Sequence, residues 1–157
     1  LTHGANAKMN PPLRSAADRE AVAQAVREGL LSVIATDHAP HTPPEKARGL
    51  AEAPFGVIGL ETALAASLTA LGDDMGLAGV LRRLTVGPAQ ALRLPAGGLG
   101  VGDVADVVLI EPEAPWTVQP EHFRSQGRNT PFAGASLRGQ IRGTICGGEI
   151  VYRNVET

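Results

Sequence analysis

A short apolar run that stops on polar chemistry constrains this chain more than any other stretch. Leu31-Ser-Val-Ile-Ala-Thr36 is rich in branched residues, too short for a good helix, and runs straight into Asp37-His38-Ala39-Pro40-His41. The pattern predicts a buried strand over residues 31–36 that delivers polar groups to its C-terminal end. In parallel α/β folds, those strand ends are where ligands and metals are held. A carboxylate at Asp37, with imidazoles one and four residues on, can bind a divalent metal or move a proton. The same residues also suit a turn capped by Asp37 and followed by two solvated histidines, because so short a match recurs by chance.

The preceding stretch decides how that strand is used. Ser15-Ala-Ala-Asp18 has the capping-box pattern, Val22, Ala25, Val26 and Leu30 recur at helical spacing, and Gly29 follows as a terminator. A helix leading directly into a buried strand is the second half of a βαβ unit, so the strand is expected to run parallel to a predecessor. One parallel strand cannot satisfy its own backbone. The chain also opens Leu1-Thr-His-Gly4, without Met. Both points lead to the expectation of a C-terminal portion whose N-terminal part lies elsewhere.

Residues 1–14 are expected to be a loop, broken by Gly4, Asn6, Asn10 and Pro11-Pro12. Pro11 biases Asn10 toward an extended backbone, which presents a rigid amide suited to the edge of a cyclic amide. An Asx-type turn into the next helix is the other use of that residue. From His38 to Gly56 runs a long polar loop, of the kind that forms lids or binding loops. Its Glu45, Lys46 and Arg48 are expected to be solvated. Gly56 would allow a ligand close to the backbone, and Phe55 either walls a pocket or anchors the loop in the core.

Leu60, Ala63, Leu64, Ser67, Leu68 and Leu71 predict a helix ended by Gly72. Asp73-Asp74 is expected to open a short helix across residues 77–84, and Thr85 to cap another over residues 88–92. Beyond Leu94 the texture changes. Gly97-Gly-Leu-Gly-Val-Gly102 neither follows a strand nor opens a helix, so it reads as turns rather than a dinucleotide loop. Strands are expected at residues 105–110, 116–118, 137–141, 144–145 and 150–152, with Gly147-Gly148 as a hairpin turn. Together they suggest a small antiparallel accessory sheet. Cys146, the single cysteine, is expected at a buried strand position; it excludes an internal disulfide and a thiolate zinc cage. His3 and His122 have no partners at metal-like spacing and are expected at the surface.

A net charge of −2, no basic run and 3% aromatics leave no footprint for nucleic acid or an anionic membrane. No apolar run approaches the ~20 residues that span a bilayer, and no secretory signal opens the chain. A soluble, cytoplasmic protein is the default expectation.

Several motifs coincide. Asn10-Pro-Pro-Leu-Arg14, Ala35-Thr-Asp-His-Ala-Pro-His41 and Pro54-Phe-Gly56 stand in an order and spacing that resemble the bacterial type I dihydroorotases. The tail is similar to that family and to the wider cyclic amidohydrolases, through Gly102-Asp-Val-Ala-Asp-Val-Val-Leu109, Asn129-Thr-Pro-Phe132 with Gly134, and Gly147-Gly-Glu-Ile-Val-Tyr152. The resemblance implies an α/β protein, the C-terminal part of a (β/α)8 TIM-type barrel (residues 1–93) plus strands of an accessory β-sandwich (residues 94–157). It implies a zinc-dependent interconversion of N-carbamoyl-L-aspartate and L-dihydroorotate, in pyrimidine biosynthesis. Asp37 would be a metal ligand and the general base and acid. His41 would bind the substrate carboxylate, Asn10 would contact substrate, and Phe55 and Gly56 would offer the ring a backbone contact. His38 inherits no role.

The family's remaining zinc ligands match nothing in residues 1–157, and a catalytic zinc, one or two of which are implied, needs about three protein ligands. The chain alone is therefore expected to be inactive, with the missing N-terminal part as its first partner and a homodimer or an aspartate transcarbamoylase complex left open. Two other readings stand behind this one. A hydantoinase or allantoinase would usually differ after the catalytic Asp. A non-catalytic subunit scaffolding aspartate transcarbamoylase would tend to lose the metal-site residues, whereas Asp37, His41 and Asn10 are all retained.

Overall fold

In a computed structural model, residues 3–95 and 97–154 are described. The elements run α1 (Ala16–Arg27), α2 (Pro43–Lys46), α3 (Gly49–Glu52), α4 (Ala63–Leu84), α5 (Val86–Leu92), β1 (Val107–Thr117), β2 (Ser136–Cys146) and β3 (Glu149–Arg153), with 3-10 turns at Gly4–Ala7 and Pro120–His122. Two compact units divide the chain. The first takes residues up to Leu30, Ala35–Ala63 and Thr117–Ser136; the second takes Leu31–Ile34, Leu64–Trp116 and the chain from Leu137 on.

In the first unit, α1 begins at the capping box foreseen: the Ser15 hydroxyl accepts from the Asp18 N–H, and the Asp18 carboxylate accepts from the Ser15 N–H at 3.2 Å. The helix gives way at Glu28, and Gly29 follows with φ 80°. Only Val26 of the apolar series is buried, while Val22 and Leu30 stay 55% and 76% exposed. The 38–56 loop contains more order than its prolines suggest, because it forms α2 and α3. Thr42 and Glu45 make a reciprocal capping box, with a proline at the first helical position, where its missing N–H costs nothing. Ala53, Ile58 and Val118 are buried here, together with the polar Lys46, Thr62, Asn129 and Thr130.

The second unit packs α4 and α5 with the three-stranded sheet, in the order β1-β2-β3. Ala65, Leu68, Val80 and Leu137 form its core. The separate short strands expected after residue 105 merge into the two 11-residue strands β1 and β2. β2 and β3 pair antiparallel around Gly147-Gly148, both with positive φ, as foreseen. Cys146 is exposed rather than buried, because it ends β2 at the hairpin tip, where residues 146–151 all face solvent. Arg138 of β2 donates to the Leu68 carbonyl of α4 at 3.1 Å and pairs with Asp73 at 2.5 Å, which raises its pKa. Asp73 thus serves a sheet contact, and the helix expected over residues 77–84 starts past the break at Gly76. The α4 backbone continues past Gly72 and breaks at Gly76 instead (φ 66°, ψ 169°). Thr85 occupies the position before α5, but its hydroxyl bonds back to the Leu81 carbonyl instead of capping.

The run at residues 31–36 departs from expectation. It makes no strand among the described residues, and its residues are exposed or half-buried. Its Ile34 N–H donates to the Arg83 carbonyl at 3.0 Å. The nearest pairing is a single parallel bridge, His38 with Val57. Extended backbone becomes a strand only where neighbours complete the ladder. One more expectation changes: a window within Ala63–Leu92 has mean hydropathy 1.3, long and apolar enough for a membrane span on length and composition. The break at Gly76 and the Asp73–Arg138 pair interrupt it as a continuous apolar helix.

Candidate active site

The first unit draws three sequence-distant stretches together, and buried polar side chains do the joining. The 38–41 stretch meets the 56–58 stretch through the His38–Val57 bridge, in which the Ala39 N–H donates to the Val57 carbonyl at 2.9 Å. His41 Nε2 lies 2.9 Å from the Phe55 carbonyl oxygen. A carbonyl only accepts, so Nε2 carries the hydrogen. The N-terminal loop joins at Lys8, whose carbonyl accepts the Gly56 N–H at 3.0 Å and whose ammonium sits 4.6 Å above the Phe55 ring. Asn10 is two residues further on, exposed, and linked to Pro11 by a cis peptide.

Gly56 is required where these stretches meet. Its φ is 130°, and a Cβ there would lie 2.6 Å from the Ala39 Cβ and 3.0 Å from His41 Nε2. Only glycine fits so close an approach at that backbone angle. Phe55 neither anchors the core nor disappears from solvent: it is 56% exposed. Asp37 stands just before the bridge, exposed, with φ 44°. Asp tolerates this left-handed conformation better than most residues, and such strain tends to cluster at functional sites.

Three residues without an expected role hold this arrangement. Lys46, expected in solvent, is 7% exposed, and its ammonium donates to the carbonyls of Gly56 (2.9 Å), Pro54 (3.0 Å) and Lys8 (3.4 Å). Burial, and secondly the charge of Lys8, lower its pKa. Asn129 is 4% exposed; its amide donates to the carbonyls of Ala39 (2.9 Å) and Gly56 (3.2 Å) and accepts the His41 N–H at 3.0 Å. His38 Nδ1 accepts the N–H groups of Gly59 and Leu60, each at 3.2 Å, which puts the hydrogen of a neutral ring on Nε2. Asn129 carried a signal, its place in the Asn-Thr-Pro-Phe motif. Lys46 carried none, since a lysine on a polar loop reads as solvated.

Glu45 takes bonds from the Thr42 N–H and hydroxyl, both 2.7 Å, which hold its carboxyl below the ordinary range. A cavity of about 300 Å³ is lined among others by His41, Lys46, Arg128, Asn129, Asn6 and His3. Of the five expected site residues, only His41 lines it. Arg128 is committed to main-chain oxygens, at 2.8 Å to Gly127 and also to Ser125. His3 and His122 are exposed, as expected. No group of three or more His, Cys, Asp or Glu side chains among the described residues could hold a metal ion. Asp37 is a suitable oxygen donor, but these residues do not by themselves fit a catalytic zinc.

Residues 3–151 match a family described as the amidohydrolase family. Among curated relatives, the dihydroorotase of Clostridioides difficile (strain 630) is 46% identical over 97% of this chain and 36% of its own length. The dihydroorotase of Syntrophotalea carbinolica is 49% identical over 94% of this chain and 35% of its own length. The chain thus spans little more than a third of these relatives. Among solved structures, the dihydropyrimidinase of Brevibacillus agri NCHU1002 superposes with a TM-score of 0.86 at 22% identity, over 96% of this chain and 34% of that one. The L-hydantoinase of Arthrobacter aurescens gives 0.84 at 27% identity, over 95% of this chain and 35% of that one.

Proposed function

Because this chain belongs to the amidohydrolase family, we propose that it forms the C-terminal third of a dihydroorotase, which interconverts N-carbamoyl-L-aspartate and L-dihydroorotate. One observation carries the reading. The stretches that hold the expected substrate contacts converge on Gly56, through Lys8 two residues before Asn10, through His41, and through Phe55 itself. The identities of 43–49% to dihydroorotases, over nearly the whole chain, support the same substrate. Superposition on hydantoinases speaks for a shared fold, not a shared substrate.

In this reading, water adds to the ring carbonyl carbon as the carbon–nitrogen bond breaks. Asp37 takes a proton from that water and returns it to the leaving nitrogen, and ring closure reverses both steps. His41 meets the substrate carboxylate, Asn10 the ring amide, and the Phe55-Gly56 backbone the ring edge. Zinc, when bound, supplies water activation and carbonyl polarisation. Asp37 would be one of its ligands, and the others would come from outside these 157 residues. Residues 1–93 would complete part of a (β/α)8 barrel, whose neighbouring strands would give the 31–36 run its ladder, and residues 94–157 would belong to an accessory β-sandwich. The enzyme would work in the cytoplasm.

Steady-state assay of the full-length protein, in both directions and with its zinc content measured, tests this. Turnover of dihydroorotate supports the reading. A zinc-loaded protein that opens hydantoin or dihydrouracil but not dihydroorotate overturns the substrate, and turnover by residues 1–157 alone overturns the shared site.

A further inference from the structure

We propose that Asn129 is a positioning residue, which fixes His41 and Gly56 relative to one another so that both can meet one substrate. The proposal rests on the reading of His41 and Phe55-Gly56 as substrate contacts. Asn129 is the described side chain that bonds to both stretches at once. Its Nδ2 donates to Ala39 O at 2.9 Å and Gly56 O at 3.2 Å, and its Oδ1 accepts from His41 N at 3.0 Å. Its own carbonyl accepts the Ile58 N–H at 3.0 Å, which anchors the residue to the same stretch as Gly56. At 4% exposure, the amide is buried with these partners.

The chemistry of the amide matters. Two carbonyls must be met by donors and one N–H by an acceptor, so the site needs both functions on one planar group. A carboxylate of the same shape would turn two attractive contacts into lone-pair repulsions. A hydroxyl could serve only part of the set. Neither change touches a group that contacts substrate, so the loss would appear as misplacement: His41 would leave the Phe55 carbonyl and Gly56 would drift from it. Misplacement by about 1 Å can lower kcat/KM on the order of 10²-fold.

The test uses the full-length zinc enzyme with Asn129→Asp and Asn129→Ser. The proposal expects KM for dihydroorotate to rise about 10- to 100-fold in each, with kcat changed less, at temperatures well below the unfolding midpoint. It also expects loss of the single Nε2–H signature of His41 in long-range 1H–15N spectra, which show the wild-type ring fixed in one tautomer. A variant with a lowered midpoint but wild-type KM and an unchanged His41 spectrum overturns the proposal. If wild type does not turn over dihydroorotate, the functional reading fails, and the His41 spectrum still decides whether Asn129 sets the ring. Should the Asp variant not fold, the Ser variant carries both readouts.

Discussion

The Nε2–H of His41 is spent on the Phe55 carbonyl, 2.9 Å away, so the two candidate substrate contacts are hydrogen-bonded to each other. A ligand carboxylate that takes its bond from Nε2 must therefore displace the Phe55 carbonyl. Contact and backbone would adjust together, which ties the His41 ring to the shape of the 54–57 stretch.

His41→Ala is expected to weaken substrate binding by about 1–3 kcal/mol, the size of a lost charge-assisted hydrogen bond. KM should rise and kcat should largely persist. A near-normal Michaelis constant in the full-length variant would contradict the assigned contact.

Asp37→Ala is expected to abolish turnover in both directions. Asp37→Asn keeps the shape and the tolerance of φ 44°, yet it removes the proton carrier, and should slow both directions by ~10²- to 10⁴-fold. Substantial activity in the Asn variant would remove Asp37 from the chemistry.

Gly56→Ala should destabilise by more than about 1 kcal/mol, because φ 130° strains any Cβ and the new methyl would meet the Ala39 Cβ at 2.6 Å. The same methyl would press on His41 Nε2, so KM should rise as well. Urea unfolding and kinetics on one preparation read both effects, and a neutral result in each would discredit the close approach.

Lys46→Met should cost roughly 1–3 kcal/mol, since the buried carbonyls of Gly56 and Pro54 lose a donor. The sign with pH follows from burial, which lowers the Lys46 pKa from its ordinary 10.5. Between the lowered value and 10.5 the unfolded chain binds more protons than the folded one, so this residue makes stability rise with pH across that window. Denaturation curves over the alkaline range should show the rise in wild type and its loss in Lys46→Met.

Glu45 provides the opposite test. Bonds from Thr42 depress its carboxyl below the ordinary 4.5. The stabilising contribution is full above 4.5 and is lost as pH falls through the depressed folded value. Thr42→Ala should return the Glu45 titration toward 4.5, as followed by carboxyl carbon shifts. A Glu45 that titrates normally in wild type would mean that the cap does not form in solution.

Local signals carried the elements whose partners lie close in sequence. The Ser15–Asp18 box sets α1 and the Gly147-Gly148 pair sets the β2–β3 turn, because each is completed within a few residues. The 31–36 run failed as a strand for the converse reason, since an apolar pattern can announce a strand but only a neighbouring chain can make one. Gly72 was the plausible helix stop, yet the Arg138–Asp73 pair lies across 65 residues of sequence, and the backbone broke at Gly76 instead.

The same division runs through the site. Residue type and spacing left Asp37, His41, Asn10 and Phe55-Gly56 open between site and structural uses, and the resemblance to the dihydroorotases singled them out as candidates. Tertiary structure decided what holds them: Lys46 inward rather than outward, Asn129 bridging two stretches 73 to 90 residues away, and His38 bonded to Gly59 and Leu60. A buried polar group is defined by its partners, and partners brought together by folding leave no periodicity or spacing for a sequence to display.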